Sequence, residues 1–172
     1  ELASSDWKKS EPKAVTQWFE DENKKQSPDE RDGRQLRRNV CYAKCWRRKN
    51  KSWNMPSGLA VSKLVVEKFV GYLERDDESF YWSLKAIPSR LCGNLEVDHP
   101  VADEKLTKGP DDALTRNMRD ELGKALDKLR VLESWGCTKA QALEAWKEFF
   151  GTDFFDKAVE DEKAKEAEKA RI

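Results

Sequence analysis

The segment from Ser57 to Leu73 places the strongest constraint on how this chain can fold. It reads SGLAVSKLVVEKFVGYL, and its spacing predicts a helix over about 57–73 that is apolar nearly all round. A helix without a polar face is stable only when other elements cover it on several sides. We therefore expect this helix to lie at the centre of a domain.

Amphipathic segments that could cover this helix lie before and after it. They predict helices over about 11–26, 31–49 and 112–135, and another begins near Thr138. The 31–49 helix carries apolar residues at helical spacing, namely Leu36, Val40, Ala43 and Trp46. The predicted fold class is mostly α: a compact multi-helix domain with at most a short extended segment near 94–101.

Several residues predict where the helices begin and end. Pro88 is expected to kink or end a helix that starts near residue 78, and Asp111 is a fair N-cap for the 112–135 helix. Thr138 with Gln141 predicts a capping box, and Gly151 predicts the end of that helix.

The charged end of the chain is expected to form no part of the core. Residues 160–171 contain only charged residues and Ala, which predicts a solvated helix or a frayed end. The predicted organisation is one helical domain over residues 1–157 and a charged tail over 158–172, helical or frayed.

Charge is segregated along the chain. The whole chain has 33 basic and 33 acidic residues, yet nine Lys or Arg and no Asp or Glu lie between Arg34 and Val66. On the predicted 31–49 helix, steps of four, three and four residues place one stripe on a single face: Arg37, Cys41, Lys44 and Arg48. Such a positive field favours phosphate groups as partners.

The junction Pro56-Ser57-Gly58 lies at the predicted start of the apolar helix. Ser57 is a good N-cap residue, and Gly58 has no side chain to block approach to the first backbone N–H groups. A helix N-terminus of this kind attracts anions. On these residues alone, a plain N-cap and an anion site are equally compatible.

Composition limits which classes of protein (membrane, secreted or cytoplasmic) the chain fits. No apolar run reaches about 18 residues, so no transmembrane helix is expected, and no signal peptide is visible. Four Cys, at 41, 45, 92 and 137, form no CxxC pair, which predicts reduced thiols in a cytoplasmic protein. The chain starts at Glu1 without Met, which is typical of a fragment or a processed product.

The sequence gives little support for a metal site or a hydrolytic active site. Cys41 and Cys45 are spaced to share a helix face, but zinc would need two more ligands, which only distant residues could supply: Cys92, Cys137 and His99. We predict no metal site and a structural role for His99. The chain has no Walker-type glycine loop and no Ser/His/Asp set.

Several phrases, taken in order, resemble one protein group. They are RQLRR at 34–38, YAKCW at 42–46, WNMPSGLAVSKLVVEKF at 53–69, EKLTKGPDDALTR at 104–116 and TDFF at 152–155. The combination resembles the C-terminal half of the nucleotidyltransferases that include oligoadenylate synthetase and cyclic GMP–AMP synthase. The bacterial cyclic-oligonucleotide synthases of anti-phage signalling are more similar still, over most of residues 4–157.

The resemblance implies roles for individual residues. Lys44 matches a lysine that binds the nucleoside triphosphate, although an isolated surface lysine is ordinarily just solvated. Ser57, thirteen residues later, matches a polar residue that contacts the triphosphate or the base. Gly58 stands where several eukaryotic relatives have an aromatic residue that stacks on the base, so stacking must come from elsewhere or be absent. Arg37 and Arg48 are possible accessory phosphate contacts, and Arg38 is a further cation nearby.

The resemblance also implies an enzyme whose metal site is elsewhere. Such enzymes hold two Mg²⁺ ions with three carboxylates, two of them as Asp-x-Asp on a strand after a Gly-Ser turn. This chain has neither Gly-Ser nor Gly-Gly, and Glu96-Val97-Asp98 lacks the turn and lies far downstream. We expect the full-length parent protein, of which this chain would be the C-terminal half, to join nucleoside triphosphates into cyclic di- or oligonucleotides. The missing N-terminal half would bind Mg²⁺, and this segment alone would bind none and be inactive.

Two other functions remain open. The basic 34–51 face, with Trp46 and Trp53 interleaved, is compatible with a stand-alone helical module that binds nucleic acid. The third hypothesis is a helical scaffold whose basic face binds an acidic partner. The expected partners are nucleoside triphosphates and the missing catalytic domain, without a membrane, and nucleic acid enters only under the alternative.

Overall fold

The computed structural model describes residues 12–50 and 52–170, and these form a bundle of helices around one core. The α-helices are α1 Pro12–Gln26, α2 Gln35–Lys49, α3 Gly58–Glu67, α4 Asp76–Gly93, α5 Ala113–Lys128, α6 Lys139–Phe150 and α7 Asp156–Lys169. Short 3₁₀ turns lie at Arg31–Gly33, Ser52–Asn54 and Arg130–Glu133. No helix in the described part of the chain is both long and apolar enough to cross a membrane.

The predicted fold class is confirmed. Among the described residues, extended pairing is limited to one antiparallel bridge between Asp98 and Lys105, next to the predicted extended segment. The bond from Leu106 N to Val97 O, at 2.7 Å, continues this pairing and anchors Val97 in the core.

Helix α3 lies at the centre, as its composition predicts. Most of its residues are buried, and the core that they join also contains side chains of α2, α4, α5 and α6. Helix α2 packs against α3, and its buried face contains the predicted apolar set Leu36, Val40, Ala43 and Trp46 together with Gln35 and Asn39.

The predicted C-terminal end of the apolar helix is wrong. Helix α3 ends at Glu67, and the chain continues as an irregular loop in which Leu73 is 67% exposed. Buried polar side chains of α2 and α4 bond the loop backbone, which removes the need for intrahelical partners there. Gln35 bonds the C=O and N–H of Tyr72 (2.6 and 2.9 Å), and Ser79 and Ser83 bond the C=O and N–H of Val70 (2.7 and 2.9 Å).

Other helix boundaries also shift. Helix α2 begins at Gln35, four residues after the predicted start, because a 3₁₀ turn occupies Arg31–Gly33. Helix α4 continues through Pro88 to Gly93, and α5 ends at Lys128 before a 3₁₀ turn. The N-cap of α5 is Asp112, not Asp111: its Oδ1 accepts a hydrogen bond from Thr115 N at 2.8 Å.

Helix α6 begins and ends as predicted. The capping box is complete: Thr138 Oγ1 accepts from Gln141 N at 3.2 Å, and Gln141 Oε1 accepts from Thr138 N at 2.9 Å. The helix ends at Gly151, whose φ of 59° is left-handed and suits glycine.

Helix α7 packs on α6 through one edge, while most of its side chains are exposed. Its Val159 is buried, and ion pairs join Glu162 to Lys139 and Lys163 to Glu144, each at 2.9 Å. The predicted boundary at 157/158 falls near the start of this helix. Residues 171 and 172 lie outside the described part.

Candidate phosphate-binding site

The basic stripe lies on the solvent side of α2. Arg37, Cys41 and Arg48 are exposed and Lys44 is half-buried, whereas the opposite face of the helix enters the core. The predicted grouping of these side chains on one accessible face is therefore observed.

The N-terminus of α3 is an ordered cap with free donors beside it. Ser57 Oγ accepts a hydrogen bond from Ala60 N at 3.1 Å, and Ser57 O accepts from Val61 N at 3.0 Å. The N–H groups of Gly58 and Leu59 precede the first intrahelical bond, so they have no partner within the helix. They also lie at the positive end of the helix dipole.

Lys44 passes directly beside this helix start. If residue 58 carried a Cβ atom, that atom would lie 3.8 Å from Lys44 Cε, which is an ordinary van der Waals distance. The contact exists because the end of α2 is tied to the start of α3: Arg47 Nε donates to Pro56 O at 2.6 Å. Two predicted residues that are thirteen positions apart, Lys44 and Ser57, are thereby brought to one place.

The two predicted accessory arginines, Arg48 and Arg37, lie at different distances from Lys44. Arg48 is one turn after Lys44 on the same face. Arg37 is seven residues before Lys44, about 10 Å along the helix axis, and its side chain lies over Gly33 at the opposite end of α2. Lys44 and Ser57 therefore lie together, Arg48 is one helical turn from Lys44, and Arg37 lies toward the other end of α2.

The charges at this site are not neutralised within the described residues. No carboxylate of the described part forms an ion pair with Lys44 or Arg48. Because Lys44 and Arg48 have no carboxylate partner there, the surface keeps a positive potential that favours an anion.

Arg38, by contrast, belongs to the fold. Its side chain is only 10% exposed, and its guanidinium contacts Asp76 and Asp29, each at 2.6 Å. The hydrogen bond with Asp76 raises the pKa of Arg38, and the same bond holds the pKa of Asp76 below its usual range. This cation is therefore committed to joining α2, α4 and the loop before α2.

The two tryptophans of the basic segment have opposite environments. Trp46 is 1% exposed and stacks on Phe149 with ring centroids 6.0 Å apart, so it cannot stack on a ligand. Trp53 is 78% exposed. The loop that carries it is anchored by Asn117, whose Nδ2 donates to Asn54 O at 2.7 Å. Sequence reasoning missed this anchor because 63 positions separate the two residues.

The described residues form no cluster of three or more potential metal ligands. No group of three or more His, Cys, Asp or Glu side chains lies close enough to hold a metal ion within residues 12–50 and 52–170. Asp98 pairs with Lys105, whose hydrogen bond lowers the pKa of that carboxyl. The Mg²⁺ expected from the resemblance thus finds no fitting residues in this part, and the four cysteines are free thiols.

Comparisons with known proteins identify the fold. No protein-family model and no curated protein matches the chain. Among solved structures, Escherichia coli DncV in its 3'-deoxy GTP-bound form matches with a TM-score of 0.69 at 19% identity, over 88% of this chain and 40% of that chain. Vibrio cholerae DncV cyclic AMP-GMP synthase, with a linear intermediate, matches with a TM-score of 0.67 at 22% identity, over 88% and 41%.

A third structure, the same Vibrio cholerae protein in complex with a nonhydrolyzable GTP, gives a TM-score of 0.66 at 22% identity. This chain spans about 40% of the length of these proteins. At such identities the likeness concerns architecture. The chain therefore has the helical fold of one part of DncV.

Proposed function

We propose that this chain is the nucleotide-binding helical part of a nucleotidyltransferase that makes cyclic di- or oligonucleotides in bacterial anti-phage signalling. The observation that carries the proposal is the position of Lys44 beside the N-terminus of α3. It occurs in a fold shared with DncV structures that contain bound nucleotides.

Each part of the site supplies something that a triphosphate needs. The Lys44 ammonium neutralises phosphate charge, and the free N–H groups of Gly58 and Leu59 bond phosphate oxygens. Ser57 Oγ accepts the capping bond and still has a hydroxyl proton to donate. Arg48 adds positive charge one turn away. Positioning and charge neutralisation of this kind are the protein's main contribution to phosphoryl transfer.

The chemical step belongs to the rest of a longer protein in this proposal. The described residues hold no carboxylate cluster for Mg²⁺, and this chain spans only about 40% of the proteins that it resembles. We assign the metal ions and the activation of the attacking hydroxyl to a further, N-terminal catalytic domain, which would close the other wall of the cleft in a cytoplasmic enzyme. Residues 1–172 alone are expected to form no nucleotide product.

The test is an NMR titration of residues 1–172 with ATP. Binding to a single wall of a cleft is expected near millimolar, about −4 kcal/mol. Lys44→Ala should weaken it by roughly fivefold or more, because a charge-assisted contact that is still partly solvated contributes about 1 kcal/mol or more. Lys157→Ala is the matched control, since Lys157 is an exposed lysine on α7 whose side chain forms no hydrogen bond or ion pair with the described residues.

Three results would contradict the proposal. One is an equal loss of affinity in both lysine variants, and another is a set of shifts centred on α7. The third is any cyclic or linear oligonucleotide that forms when residues 1–172 alone are incubated with nucleoside triphosphates and Mg²⁺, as read by chromatography.

Nucleic-acid binding remains the second candidate. Exposed Trp53 and the cations of α2 favour it, but the burial of Trp46 removes one of the two predicted stacking residues. Strongly salt-dependent binding of single-stranded RNA, without ATP binding, would support it.

A further inference from the structure

We propose that Trp53 is the stacking platform for the base of the nucleoside triphosphate whose phosphates are held at Lys44. This inference rests on the proposed function and extends it, since it assigns the nucleoside end of the same site. The ligand class is any nucleoside triphosphate, because an indole face stacks on every base.

The first observation is the exposure of Trp53 itself. An indole is a large apolar group that proteins usually keep mostly buried, yet Trp53 is 78% exposed on the α2–α3 connection. An exposed aromatic ring and unpaired cations on adjoining segments suit ligands that combine a planar base with phosphates. Here the cations are Lys44 and Arg48, on the last turns of α2.

The second observation is that the backbone that carries Trp53 is held in place. Asn54 O accepts from Asn117 of α5, and Pro56 O accepts from Arg47 of α2, at 2.7 and 2.6 Å. Met55, between them, is buried in the core. A platform whose following backbone is anchored at three consecutive residues loses less conformational freedom when a base stacks on it, which favours binding.

The third observation is reach. Trp53 precedes Ser57 by four residues, and four residues span at most about 14 Å. An extended nucleoside triphosphate has a comparable length between its base and its terminal phosphate. The separation is therefore short enough for one ligand to bridge Trp53 and the start of α3, with the phosphates and the base recognised by separate groups.

This separation defines the experiment. Residues 1–172 are titrated by NMR with ATP and, in parallel, with inorganic tripolyphosphate, which carries the phosphates without a base. Trp53→Ala should weaken ATP binding roughly 5- to 100-fold, the range for one base stacked on an aromatic side chain. It should leave tripolyphosphate binding unchanged, whereas Lys44→Ala should weaken both ligands.

Two further variants complete the design. Trp53→Phe keeps an aromatic face and should retain most of the ATP affinity. Trp135→Ala removes another fully exposed tryptophan, near the start of α6, and should change neither ligand. In the wild-type protein, the Trp53 indole N–H resonance should shift with ATP and stay in place with tripolyphosphate.

Each remaining outcome overturns something definite. Equal effects of Trp53→Ala on ATP and tripolyphosphate, or no effect on ATP, would overturn the stacking role while Lys44→Ala still supports the phosphate site. Unchanged binding of both ligands to the Lys44→Ala variant would overturn the proposed function. Loss of single-stranded RNA binding in Trp53→Ala, with ATP affinity unaltered, would overturn the platform in favour of nucleic-acid binding.

Discussion

Gly58→Ala should raise stability and lower nucleotide affinity at the same time. The substitution adds one methyl group at the first residue of α3. The backbone there is compatible with alanine, because Gly58 has no positive φ. The nearest heavy atom is Lys44 Cε at 3.8 Å, an ordinary contact, so the methyl group meets no clash.

The magnitude follows from helix propensity and chain entropy. Replacing glycine by alanine at a compatible position stabilises a protein by about 0.4–1 kcal/mol, mainly by restricting the unfolded chain. At the first helical position the lower half of that range is appropriate. We expect a gain of about 0.5 kcal/mol and a rise in Tm of about 1–2 °C for a chain of this size.

The affinity for ATP should fall because the new methyl group occupies the space between the Lys44 side chain and the first free N–H groups. Urea denaturation followed by circular dichroism measures the stability, and the NMR titration measures the affinity. Gly123→Ala is the matched control: Gly123 lies within α5, no heavy atom lies within 4 Å of its added carbon, and ATP binding should stay unchanged.

The reasoning would be refuted in either of two ways. A Gly58→Ala protein that is less stable than wild type would mean that the start of α3 is not the ordered helix end described above. A protein that is more stable and binds ATP with unaltered affinity would mean that the phosphates do not approach the N–H groups of Gly58 and Leu59.

The remaining predictions concern Lys44, Ser57 and Asp76. Lys44→Glu in the full-length parent should remove most product formation, by chromatography, with an unchanged Tm; near-normal turnover would contradict the assignment. Ser57→Ala should cost about 1 kcal/mol of stability through the lost cap, measured in urea, and should weaken ATP binding less than Lys44→Ala; a larger binding loss would reverse their roles. The pKa of Asp76 is lowered by its bond with Arg38, so its stabilising contribution is present above about pH 4, the usual aspartate pKa, and is lost as the pH falls through the folded value. Asp76→Asn should therefore show a smaller loss of stability on acidification than wild type, and identical pH profiles would refute this.

The features that could be predicted from the sequence depend on interactions between residues a few positions apart. The capping box of Thr138 with Gln141 and the stop at Gly151 use partners within one helical turn. The apolar composition of α3 required a central position, since no face of it could meet water. Helical spacing likewise predicted that the cations of the α2 stripe lie on one face.

The tertiary structure alone decided the rest, because the deciding partners are distant in sequence. Helix α3 ends early because Gln35, 37 residues away, bonds the loop backbone at Tyr72. Helical spacing placed Trp46 on the core-facing side of α2, but the partner that covers it, Phe149 on α6, lies 103 positions away, and no local pattern indicated that Trp53 would be exposed. The resemblance could name Lys44 and Ser57 together, but their proximity arises from the packing of the end of α2 against the start of α3, which no local pattern specifies.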